Sequence, residues 1–191
     1  MRFALLGLLT LGLGLTAEAT DLTPKSGFRQ GNEGAPTPII QFQVGKQTAD
    51  YEPPRKWEPS GGGSSVTFFS PDVMQAWIKF VSVSKAPVPG QSAVPADQED
   101  LKAAATRYVP AEAEKVEFVK EVSSPYRVHG QDSMEYIFNF LIANAHVSLS
   151  VSIVDISPKE RLVTLICSDT KNFNQIRQLG ISSMFTWAFH D

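Results

Sequence analysis

Tyr136-Ile137-Phe138-Asn139-Phe140-Leu141-Ile142, His146-Val147-Ser148-Leu149-Ser150-Val151-Ser152-Ile153 and Leu162-Val163-Thr164-Leu165-Ile166-Cys167-Ser168 follow one another with only short breaks. Apolar and polar residues alternate along the runs, which is the period of a strand with one buried face. A tight turn at Asn144-Ala145 would pair Ala143 with His146 and set Ile142, Phe140 and Phe138 opposite Val147, Leu149 and Val151. A turn around Ser157-Pro158-Lys159-Glu160 returns the third run, placing Val163, Leu165 and Cys167 beside Ile153, Val151 and Leu149. A one-residue slip would set aromatics against serines, so the pattern specifies which face each side chain takes. The reading is a three-strand antiparallel meander with one continuous apolar row. The opposite face carries Asn139, His146, Ser148, Ser150, Ser152, Thr164 and Ser168, mixed with Ile137, Leu141 and Ile166. It reads as a solvated or loosely covered sheet surface. A hydroxyl-lined ligand face built from His129, Asn139, Ser148 and Ser150 is the sharper alternative.

The chain opens with Arg2 and an apolar run from Phe3 to Leu15, too short to span a bilayer, followed by the small-x-small site Ala17-Glu18-Ala19. Residues 1–19 therefore read as a cleavable signal peptide, and the protein as secreted or periplasmic without membrane insertion after cleavage. No cysteine lies at the cleavage site to carry a lipid. About 170 residues remain, enough for one domain with a sizeable core. Apolar residues make up 42% and charged ones 19%, which suits a folded domain. A net charge of −3 and the lack of a basic run argue against nucleic acid as a partner. Cys167 is the sole cysteine, so the core has no internal disulfide to help it. Its place in the apolar row makes it a small hydrophobe rather than a reactive thiol.

Residues 20–38 are rich in Gly, Pro, Thr and charge, and predict a flexible leader before a single domain at 39–191. Ile39 to Val44 predicts a first strand. Tyr51 to Pro59 holds prolines that suit extended or turning backbone, and Ser60 to Ser65 reads as a mobile loop. Val66–Phe69 and Ala76–Lys85 predict two further strands, with Ile78 and Phe80 on one face and Trp77, Val81 and Val83 on the other. The Pro-rich stretch Ala86 to Pro95 predicts a loop. Asp97 is the predicted cap of a helix whose apolar face is Leu101, Ala104, Ala105 and Tyr108. Val116 to Val122 is a weaker strand, and Tyr126 to Gln131 a connector. Asp169 or Asn172 caps a last helix, with Phe173, Ile176, Leu179, Gly180, Met184 and Trp187 on one side, widened by Ile181, Phe185 and Ala188. So broad an apolar stripe is expected to be buried against the sheet.

The order of these elements resembles a known family. Tyr51-x-x-Pro54-x-x-Trp57 leads to Val66-Thr67-Phe68-Phe69-Ser70-Pro71-Asp72, and Arg161-Leu162-Val163-Thr164-Leu165 to Asp169 precedes the terminal helix. The pattern is similar to the PsbP-like αβα sandwich, also found in a small Ran-binding nuclear transport protein and in bacterial exported proteins. The resemblance covers roughly residues 39–190, and the glycine-rich stretch departs from it in length. It implies an α+β αβα sandwich, mainly antiparallel, with the C-terminal amphipathic helix packed on the sheet. It also implies a noncatalytic accessory or binding role.

Few catalytic chemistries find support. His129, His146 and His190 are the only histidines, and none stands at zinc-site spacing from a carboxylate or a second ligand. A nucleophile elbow, a Walker loop and a dinucleotide fingerprint are absent, and Gly61-Gly62-Gly63 lacks the lysine and helix of a phosphate cradle. No cofactor or metal is implied. The expected function is an exported binding or accessory module with a protein partner. Its contact region would be Tyr51, Pro54, Arg55 and Trp57 with the adjacent loop Ala86 to Pro95, since Trp, Tyr and Arg on a rigid segment make good anchors; the alternative is that Trp57 simply packs over the sheet edge, as large aromatics usually do. The rival is a small-ligand carrier or enzyme with a curved α+β cone of the nuclear-transport-factor type, which requires a deep cavity against the Asn139/Ser150 face.

Overall fold

The computed structural model describes residues 20–30, 35–85 and 100–190. In chain order these form β1 (Asp21–Arg29), β2 (Thr37–Val44), β3 (Gln47–Tyr51), β4 (Glu58–Gly62), β5 (Ser65–Phe69) and β6 (Trp77–Ser84). Then come α1 (Leu101–Thr106), β7 (Glu114–Ser123), β8 (Met134–Ile142), β9 (Ala145–Ser157), β10 (Glu160–Asp169), α2 (Phe173–Met184) and β11 (Ala188–His190). The signal-peptide residues, the loop Ala86 to Pro95 and the cap residue Asp97 lie outside the described residues.

Strands β4 to β10 build a seven-stranded sheet in the order β4-β5-β6-β10-β9-β8-β7. The fold is the expected α+β class, with antiparallel pairing and one helix on each face. On one face Tyr136, Phe138, Phe140, Val147, Leu149, Val151, Ile153, Val163, Leu165 and Cys167 pack beneath α1. This is the apolar row of the meander. The pairing of Val163, Leu165 and Cys167 with Ile153, Val151 and Leu149 is as predicted. The β8–β9 hairpin differs by two residues: Ile142 pairs with Ala145 and Phe140 with Val147. The turn is Ala143-Asn144, both at positive φ (47° and 65°), as a two-residue turn matching the strand twist requires. A shift of two keeps every side chain on its face, so the core row survives the correction.

Of the two states expected for the other face, cover by a helix holds and solvation does not. Ser148, Ser150, Ser152, Thr164 and Ser168 are buried, covered by α2 and by the second core of the molecule. That core holds Phe42, Tyr51, Phe68, Phe80, Ile166, Ile176 and Met184, and unites the large sheet with a four-stranded sheet of order β1-β2-β3-β11. Tyr51 meets Phe80 edge-on at 5.0 Å and 90°, an arrangement worth about 0.5–1.5 kcal/mol beyond simple burial.

Three further expectations need correction. The leader is not flexible over 21–29: it is β1, whose Leu22 is fully buried and donates its N–H to the Gly63 carbonyl at 2.7 Å. The register shift between Asp21 and Lys25 accommodates Pro24 at the sheet edge. The glycine-rich stretch is the β4–β5 hairpin rather than a loop. Gly61 sits at φ +104°, where a Cβ would lie 2.9 Å from the Ser65 carbonyl oxygen, so a side chain there is excluded. The apolar stripe of the last helix is narrower than predicted. Leu179 and Phe185 are exposed, and the helix stops at Met184, so Ala188 enters β11 instead.

Candidate functional site

The predicted anchors separate. Tyr51 is fully buried, with its hydroxyl 2.8 Å from Ser183 Oγ, and Trp57 is 6% exposed within the same core. They are structural, so Trp57→Ala would open a cavity costing about 3–5 kcal/mol and would report on folding, not on a partner. Arg55 stays exposed and Pro54 half-buried on the turn that leads into Trp57. With Phe28, which is 74% exposed, they line a surface hollow of about 590 Å3.

The predicted ligand face is filled. Ser148 Oγ bonds Asn139 Oδ1 at 2.7 Å and Thr170 Oγ1 at 3.1 Å. Ser150 Oγ donates to Glu135 Oε1 at 2.5 Å. Glu135 in turn pairs with the Arg177 guanidinium from α2, an interaction that holds the arginine pKa above its ordinary value. His129 does not join them; its ring stacks on Phe189 at 4.5 Å from the surface connector. The cavity that the cone-shaped rival needs on this face is occupied by α2 and its polar layer. Among the described residues no three His, Cys, Asp or Glu side chains lie close enough to hold a metal.

An open apolar trough lies on the α1 face instead, and the sequence reading did not single it out. Helix α1 has six residues and is capped by Asp100, whose side chain accepts from Ala103 N at 3.0 Å. So short a helix covers only part of the sheet. Beyond its end the floor is left open, formed by Trp77 of β6, Cys167 of β10, Leu149 and Val147 of β9 and Phe140 of β8. Trp77, Cys167 and Leu149 are consecutive cross-strand neighbours, so the floor is a continuous row. Tyr108 and Pro110, where the chain leaves α1, form the wall, and Gln75 and Ala145 the rim. The volume is about 470 Å3, within the range of small-molecule sites.

Asp169 closes one end of the trough. Its carboxylate accepts from Lys171 N, Asn172 N and Asn172 Nδ2 at 3.0, 3.1 and 2.9 Å, starting α2, and these bonds hold its pKa below 3.8. Burial pushes the Cys167 thiol from 9.0 up to about 12. A thiol so seldom ionised is an apolar floor group rather than a nucleophile.

No protein-family model and no curated protein matches the chain. Solved structures that it is similar to include a protein of unknown function from Pseudomonas aeruginosa, at 14% identity and TM-score 0.48, over 87% of this chain and 98% of that one. The cyanobacterial PsbP protein of Synechocystis sp. PCC 6803 shows 8% identity and TM-score 0.43, over 96% and 100%. LpqN of Mycobacterium tuberculosis, involved in cell envelope biogenesis, shows 8% identity and TM-score 0.48, over 88% and 92%. Scores below 0.5 leave the functional reading to the chain's own geometry. No helix among the described residues is long and apolar enough to cross a membrane.

Proposed function

We propose that the chain is an exported, noncatalytic binding protein whose site is the apolar trough beside α1. One observation carries this reading: a row of Trp77, Cys167 and Leu149 left open beyond a helix too short to cover it, with Tyr108 and Pro110 as a wall. Apolar lining with a few polar groups at the margin is the usual character of a ligand pocket. The test is titration with the neutral dye N-phenyl-1-naphthylamine, whose fluorescence rises in apolar surroundings. Ala145 is exposed at the rim, so Ala145→Trp should fill the trough and weaken dye binding at least tenfold, with the melting temperature unchanged. Equal binding by wild type and variant would place the dye elsewhere and end the reading.

A second reading keeps a protein partner at the hollow of Phe28, Pro54 and Arg55, favoured by the 74% exposure of Phe28. Cross-linking from a photoreactive group at residue 55 should capture one defined neighbour in the exported fraction. Loss of that adduct in Phe28→Asp would support the reading, and its persistence would retire it.

A further inference from the structure

Across Tyr108 and Pro110 the trough adjoins a second hollow of about 490 Å3, which shares those two residues and Trp77 with it. Lys79 and Arg107 stand in this second part. Lys79 lies on the α1 face, two residues along β6 from Trp77 and opposite Thr67 and Leu165. It is half-buried, and among the described residues neither it nor Arg107 makes a side-chain hydrogen bond or ion pair. The Lys79 ammonium thus stands beside apolar walls with no carboxylate partner among the described residues. An anion arriving there would supply such a partner.

The far end has the opposite sign, because Asp169 is ionised at neutral pH. Leu165, beside Lys79, and Asp169 are four residues apart on β10, roughly 13 Å of strand. Taken together, the two adjoining hollows are cationic at one end, apolar between and anionic at the other.

We infer that the ligand is a monomeric anionic amphiphile. Its head group sits at Lys79 and Arg107, and its chain runs past Trp77 over Cys167 and Leu149 toward Phe140. This inference rests on the binding reading above and names the ligand class for the same trough. Asp169 repels an anionic head, so the amphiphile enters in one orientation only.

The experiment titrates decanoate, decanol and decyltrimethylammonium into the protein, each below its micellar concentration, and repeats the series with Lys79→Gln/Arg107→Gln. Both positions reach solvent and glutamine keeps most of the side-chain bulk, so circular dichroism should show an unchanged fold. Decanoate should bind tightest and lose about tenfold in the double variant, the scale of one charge-assisted contact, while decanol is unmoved. Equal affinities for decanoate and decanol, unaffected by the double variant, would overturn the head-group assignment and leave the trough reading standing. So would preference for the ammonium. Failure of all three ligands to bind, with the neutral dye still displaced by Ala145→Trp, would overturn the amphiphile alone; failure of the dye as well would remove both. Uptake on phosphatidylglycerol vesicles without binding of monomeric decanoate would assign the two cations to a membrane surface and overturn the inference.

Discussion

Glu135 has 1% of its surface exposed, yet it carries a carboxylate facing the interior. Arg177 and the Ser150 hydroxyl satisfy it, so the charge is tolerated rather than stabilising in itself. The asymmetry of buried pairs gives a prediction. Arg177→Met should cost about 3–5 kcal/mol in urea denaturation, because it strands the carboxylate, whereas Glu135→Met/Arg177→Met should recover most of that loss. Additive losses in the double variant would show that the pair acts independently. The hydroxyl alternation from Ser148 to Ser152 was legible in the sequence, but its burial was not. Arg177 lies 42 residues from Glu135, and nothing in the local pattern announces that a helix will bring a guanidinium onto that face. Trough residues were hidden for a related reason. Trp77, Tyr108 and Cys167 come from β6, the segment after α1 and β10, and only the sheet order and the docking of α1 bring them together.

Helix α2 lies against the sheet at Gly180. A Cβ there would stand 2.6 Å from Ile166 Cδ1 and 3.1 Å from its Cγ1, so the glycine permits a close approach that any side chain would disturb. Alanine would gain helix propensity of about 1 kcal/mol, but overpacking a filled core costs about 1–3 kcal/mol. Gly180→Ala should therefore be destabilising by roughly 1 kcal/mol net, and Ile166→Val, which removes the clashing methyl, should restore stability in that background. A more stable Gly180→Ala single variant, by chemical denaturation, would show that α2 can shift outward at little expense. Element positions were read well where period and turn chemistry agreed, as in β5, β6, β8, β9 and β10. They were read poorly where glycine and proline dominate. β1 and β4 carry Pro24 and Pro59 but lie at sheet edges, where a missing N–H harms no ladder. Local composition cannot reveal an edge, since the partner strand decides it. The hairpin slip has a narrower cause: Ala143 takes a left-handed conformation that alanine seldom adopts.

On the scale of the molecule, the seven-stranded sheet separates two cores, and each contains acids that burial keeps neutral. Cys167 lies in the core under α1, and Tyr51 and Tyr126 lie in the core shared with the small sheet. Burial raises the thiol from 9.0 to about 12 and both phenols above 10.0. In the unfolded chain these groups ionise near their ordinary values, so above pH 9 that state loses protons that the native state retains. Stability from the thiol is thus fully present below pH 9 and is lost as pH rises from 9 toward 12. One such group can contribute a slope of at most about 1.4 kcal/mol per pH unit, and the phenols add to the decline as pH approaches and passes 10.0. Free energies of unfolding measured at intervals across this range should fall first for the wild type. Cys167→Ala should be less stable at neutral pH, through the cavity it leaves, but should decline less steeply than the wild type between pH 9 and 10, because only the phenols remain to titrate. Parallel curves for the two proteins over that interval would mean that the thiol ionises equally in both states. Cys167 would then be open to solvent, and the floor of the trough would have to be redrawn around it.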